Sequence, residues 1–126
     1  MSSRRPVTPL PTLEPPPFDL LAESLALAAA GARIALRLAA RNQRPRELTY
    51  ASGKGPGVAM RIPVGPVEGA ISYFIERDAD GWLLLADPSG ATTPTSFATR
   101  TARRFPAGAL GLRQIEQVIL AETRSR

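Results

Sequence analysis

No proline occurs between Pro17 and Pro45, and within that window apolar residues recur at helical spacing. Past Pro45 the spacing drops to two. This single switch divides the chain into a helix and a sheet. Asp19 suits the N-cap of a helix from Leu20 to Arg41, with Glu23 in its first turns. Leu21, Leu25, Ala28, Ala32 and Leu36 fall at i, i+4, i+7, i+11 and i+15, which makes one continuous apolar face. Leu20, Leu27, Ile34 and Leu38 widen it. Such a helix is expected to cover the sheet that follows, since nothing else in the chain can hide Leu25 and Leu36. Any apolar surface that one small sheet leaves uncovered is expected to pair with another copy or a partner.

The period-two region predicts strands. Leu48 and Tyr50 alternate within 47–51, and Val58, Met60, Ile62 and Val64 alternate with Ala59, Arg61 and Pro63. Residues 52–57 read as a flexible loop between them. Residues 70–77 form the next strand, and Asp80–Gly81 supplies a hairpin turn. Residues 82–86 return as a strand that is apolar on both faces. A last strand is expected over 93–101, with Phe97 inward. Pro106 and Gly108 break the chain, and Leu112, Ile115, Val118 and Ile119 mark a short C-terminal helix. Helix, four or five antiparallel strands in a meander, then helix: the expected class is α+β, with the helices on one face.

Residues 1–17 hold six of the 13 prolines, so they read as an extended, Pro-rich arm. Pro6 and Pro9 form one Pro-x-x-Pro unit of the kind that docks in a groove. Residues 18–126 are then one domain. Arg4–Arg5 is followed by prolines where a signal sequence would have an apolar helix. Glu23, Gly31, Arg33 and Arg37 interrupt the apolar run of the helix, so no membrane span is expected. The cytoplasm of a bacterium or its phage is the expected location.

The chain contains no cysteine and no histidine. That removes disulfides, thiol chemistry, Cys or His zinc ligation and imidazole catalysis. The loop 52–57 (Ser-Gly-Lys-Gly-Pro-Gly) is not a nucleotide-binding loop. The first glycine of that motif is replaced by Leu48, and the magnesium-binding hydroxyl after the lysine by Gly55. Asp78 and Asp80 resemble the start of a calcium loop, but the later ligands are absent because 82–85 are apolar. Glu76, Asp78 and Asp80 are placed in a turn, where water would keep them ionised and unfit for paired acid–base work. The expectation is a non-enzymatic protein with no cofactor, no metal and no small-molecule substrate.

Sixteen basic residues face 11 acidic ones, a net charge of +5. They cluster along the chain. Residues 33–61 and 88–113 are basic, whereas 68–87 are acidic. Candidate contact residues are Arg33, Arg37, Arg41 and Arg44 on the helix, Lys54 in the glycine-rich loop, and Arg100, Arg103 and Arg104 near the last strand. Two functions follow. The first is a protein–protein component (an adaptor, chaperone or structural subunit of a larger assembly) using the Pro-rich arm and the apolar helix face. The second is a nucleic-acid-binding protein gripping phosphates through the arginines, with Tyr50 and Tyr73 as stacking platforms. The mixture of acidic and basic patches favours the first, because protein contacts use both signs.

Overall fold

The structure, a computed structural model, describes residues 18–52, 54–64, 69–87 and 101–124. The Pro-rich arm, Phe97 and Arg100 lie outside the described residues, as does nearly all of the strand expected over 93–101. The element order is α1 (Leu20–Ala39), β1 (Arg46–Ser52), β2 (Gly55–Pro63), β3 (Ala70–Asp78), β4 (Gly81–Asp87), β5 (Thr101–Phe105) and α2 (Ala109–Glu122). The five strands form one antiparallel sheet in sequence order, so the fold is the expected α+β meander bounded by two helices.

Local chemistry sets the ends of α1. The Asp19 carboxylate accepts the N–H groups of Leu21 and Ala22 at 3.0 and 3.2 Å, which satisfies two donors of the open first turn. At the other end Asn42 takes φ 61°. The Gln43 N–H then reaches back to the Leu38 carbonyl at 2.8 Å, and that of Asn42 to Ala39 at 3.0 Å. This is a Schellman closure with asparagine in the left-handed position usually given to glycine.

Both helices lie on one face of the sheet. Leu27, Ala30, Ile34 and Leu38 of α1 meet Val58, Met60 and Ile62 of β2, Tyr73 and Ile75 of β3, and Trp82 and Leu84 of β4. Leu112, Ile115 and Ile119 of α2 complete this core. Ala59, Phe74 and Leu85 form a smaller cluster on the opposite face, with Tyr50 and Leu83 packed against it.

Residues 52–57 are not a flexible loop. Ser52 pairs with Gly55, Lys54 lies in the turn, and Gly55 and Gly57 belong to β2. The glycines make room for neighbours. A Cβ on Gly57 would stand 2.6 Å from the Tyr50 ring, and one on Gly55 2.5 Å from the Arg77 carbonyl oxygen. The Tyr50 ring therefore lies across Gly57, and its hydroxyl donates to Glu76 at 2.5 Å.

Candidate protein interface on the first helix

The apolar face expected to cover the sheet points away from it. Leu21, Leu25 and Leu36 are 69%, 62% and 75% exposed, and Ala28 and Ala32 are exposed with them. The buried side is Leu27, Ala30, Gly31, Ile34 and Leu38; of the residues expected to widen the face, Leu27, Ile34 and Leu38 are core and Leu20 is exposed. Helix α1 is apolar nearly all round, and one sheet can cover only one side. The side with Ile34 and Leu38 won. It can close against β2 and α2 while Arg33 and Arg37 still reach Glu116 on α2, at 3.4 and 3.6 Å.

The uncovered side is regular. Ala22, Leu25, Ala29, Ala32 and Leu36 follow one another at steps of three, four, three and four along the 20-residue helix. That is the spacing of a seam between two packed helices. Leu25 and Leu36 bracket Ala29 and Ala32, so a partner helix could approach closely at the middle. Exposed area on this side is on the order of several hundred Å², the size at which a monomer's apolar patch usually has a function. Of the other exposed leucines among the described residues, Leu20 opens α1, and Leu48 and Leu110 stand apart on β1 and α2.

The basic residues do not converge on one surface. Arg33 and Arg37 flank the seam and share the buried carboxylate of Glu116. Arg41 turns inward, donating to the Leu120 carbonyl at 2.8 Å and the Thr123 hydroxyl at 3.0 Å. Beside it Gln43 donates to the carbonyls of Pro63 and Thr123 at 2.9 and 2.5 Å. Both side chains thus close the C-terminal end of α2, whose last carbonyls have no partner within the helix. Arg44 is exposed just past α1. Lys54 sits in the β1–β2 turn beside Gly55, which adjoins Phe18 at the N-terminal end of α1; Arg41 and Arg44 lie at the other end.

Arg103 and Arg104 project to opposite faces of β5, since Arg103 pairs across from Leu84 and Arg104 from Leu83. Arg103 holds Glu122 with two hydrogen bonds of 2.9 Å. Arg104 holds Asp78 at 2.6 Å. Arg37, Arg41 and Arg124 line an open groove of about 430 Å³ with Gln117, Leu120 and Ala121. It lies where both helices end, and cations there answer the negative ends of the helix dipoles.

Of the carboxylates expected in a watery turn, Asp80 is exposed there, whereas Glu76 lies in β3 under the Tyr50 hydroxyl and Asp78 is structural. Asp78 is buried. Burial alone would raise its pKa, but hydrogen bonds from Arg104 and from the N–H groups of Asp80 and Gly81 outweigh it and hold the carboxyl below its ordinary value. Arg103 lowers the Glu122 carboxyl in the same way, against burial and with help from the Tyr73 hydroxyl. Tyr73 is not a stacking platform: it is buried on the helix side, with its hydroxyl 2.9 Å from Glu122.

The role of Arg77 is not legible in the sequence. It is buried, with its guanidinium 4.3 Å from the centre of the Phe18 ring and 5.7 Å from that of Trp82. It meets Glu23 at 3.4 Å and donates to the Asp78 carbonyl, so it ties the start of α1 to the β3–β4 hairpin. A lone arginine before an acidic turn carries no signal of such burial. Among the described residues no group of three or more acidic side chains is placed to hold a metal ion. No helix described is long and apolar enough to cross a membrane. No family model, curated protein or solved structure matches this chain.

Proposed function

We propose that this protein is a non-enzymatic protein–protein interaction component, of the adaptor, chaperone or assembly-subunit kind, and that it binds through the outer face of α1. One observation carries the reading. The longest helix presents Leu21, Leu25 and Leu36 to solvent, on the side turned away from the one sheet face that the two helices cover. The charge pattern supports it. Arg33, Arg37, Arg103 and Arg104, expected to grip phosphates, each have a carboxylate of the same chain beside them. A phosphate would have to compete with those carboxylates.

A photoreactive side chain placed at position 25 or 36 tests this in living cells. Defined protein adducts are expected from both positions. None is expected from the same group at Ala102, which is exposed on the far face of the sheet. Adducts to nucleic acid, equal yields at all three positions, or no adducts would overturn the proposal.

A further inference from the structure

We infer that the outer face of α1 is covered by α1 of a second copy of this chain, running antiparallel about a two-fold axis between Ala29 and Ala32. The inference rests on the protein-contact reading above and names the partner.

The first argument is shape. In an antiparallel pair with the axis at that point, Leu25 of one helix faces Leu36 of the other, and Ala29 faces Ala32. Each end of the contact then holds a leucine layer, with Leu21 beside it. The middle holds only methyl groups, so the backbones can approach closely there. A two-fold contact needs a surface that is complementary to itself, and this sequence of leucine, two alanines and leucine reads the same from both ends.

The second argument is charge, and it fixes the direction. The start of α1 exposes Asp19, and its last turns and exit expose Arg33, Arg37 and Arg44, whereas Glu23 is held by Arg77 and Arg41 turns inward. Antiparallel packing lays the acidic end of each helix along the basic end of the other, and opposes the helix dipoles as well. Arg37 remains 69% exposed beside Glu116, so it is accessible to a second carboxylate. Parallel packing would set the exposed Arg33 and Arg37 of one copy against the same two residues of the other, and like charges at such distances repel. An unrelated apolar partner would satisfy the leucines but would owe nothing to this division of charge.

The test exploits the absence of cysteine. Leu25→Cys and Leu36→Cys are prepared as separate proteins and oxidised gently, alone and as an equal mixture. The mixture is expected to give several-fold more disulfide-linked dimer than either protein alone. Dimers formed equally well by each protein alone would mean parallel packing and would overturn the inference. Light scattering should give twice the chain mass for the unmodified protein. Leu25→Glu combined with Leu36→Glu should weaken association by about a hundredfold, because it puts charge into both leucine layers of the contact. Both residues are exposed, so this variant keeps its fold, and far-ultraviolet circular dichroism verifies that. A monomer at all concentrations would sink self-pairing. In that case, cellular adducts from positions 25 and 36 with a mass other than that of a second copy would leave the interaction role standing. No adducts at all would remove both.

Discussion

The two sides of α1 are made from nearly the same residues and do opposite things. The inner side, Leu27, Ala30, Gly31, Ile34 and Leu38, is buried. The outer side, Leu21, Leu25, Ala28, Ala32 and Leu36, is at least as apolar and faces solvent. Hydrophobicity therefore does not choose which side of a helix becomes core. That choice lies with the ends and flanks: Phe18 and Glu23 against Arg77 at the start, Arg33 and Arg37 against Glu116 in the middle, and Arg41 and Gln43 against α2 at the exit. Each of these polar contacts is on or beside the inner side. Rotating the helix by half a turn would bury the same amount of hydrocarbon and break all of them.

The sharpest way to break this comparison is to truncate one residue on each side. Ile34 is fully buried, so Ile34→Ala should cost about 2–5 kcal/mol, from lost transfer energy and the cavity left behind. Leu36 is 75% exposed, and Leu36→Ala should change the stability of the monomer by no more than about 0.5 kcal/mol. Urea unfolding at low protein concentration reads both. Equal losses would mean that the two sides had been assigned wrongly.

Titration sharpens the comparison more gently. No ionisable residue lies within the outer seam from Ala22 to Leu36, whereas the helix side of the sheet holds Glu122 with Arg103 and Tyr73. The Glu122 and Asp78 carboxyls titrate below their ordinary values in the folded chain. Their stabilisation is present above the ordinary carboxylate range and is lost as pH falls through the folded values. Tyr73 is shifted the other way, raised by burial and by Glu122. Its contribution is intact below the ordinary tyrosine value of about 10 and is lost as pH climbs past it. Thermal unfolding followed from pH 7 downward and upward should show both losses. Glu122→Gln should remove part of the acid loss, and an unchanged acid limb in that variant would rule Glu122 out.

Much of the fold was legible because periodicity is a local signal. Val58, Met60 and Ile62 announce a strand whatever lies around them, and Asp19 announces a helix start. What stayed hidden is whatever depends on residues distant in sequence. Gly55 and Gly57 look like a loop until Tyr50 and the Arg77 carbonyl are placed beside them. The strand Thr101–Phe105 is not legible because Arg103 and Arg104 look like surface charge, and only Glu122 and Asp78, from α2 and β3, make them fit a sheet. The candidate interface was half legible. A surplus of apolar helix surface can be read directly from the sequence, but which side stays exposed depends on Arg77, Glu116 and α2.

The smallest effect in this comparison runs against the usual direction of mutation. Gly31 lies on the inner side of α1 and is buried. A methyl group there would nevertheless meet no atom within 4 Å outside its own turn, so the glycine is not required by close packing. Glycine in a helix interior costs about 0.5–1 kcal/mol relative to alanine, through the backbone freedom lost on folding. Gly31→Ala should therefore stabilise the domain by about that amount, partly by restricting the unfolded chain. Urea unfolding of the variant checks this. A destabilised Gly31→Ala would mean that α1 sits closer to its neighbours than this geometry has it, and the packing of the inner side would need redrawing. The outer seam predicts no such gain, because Ala28, Ala29 and Ala32 already carry the methyl groups that a second helix would meet.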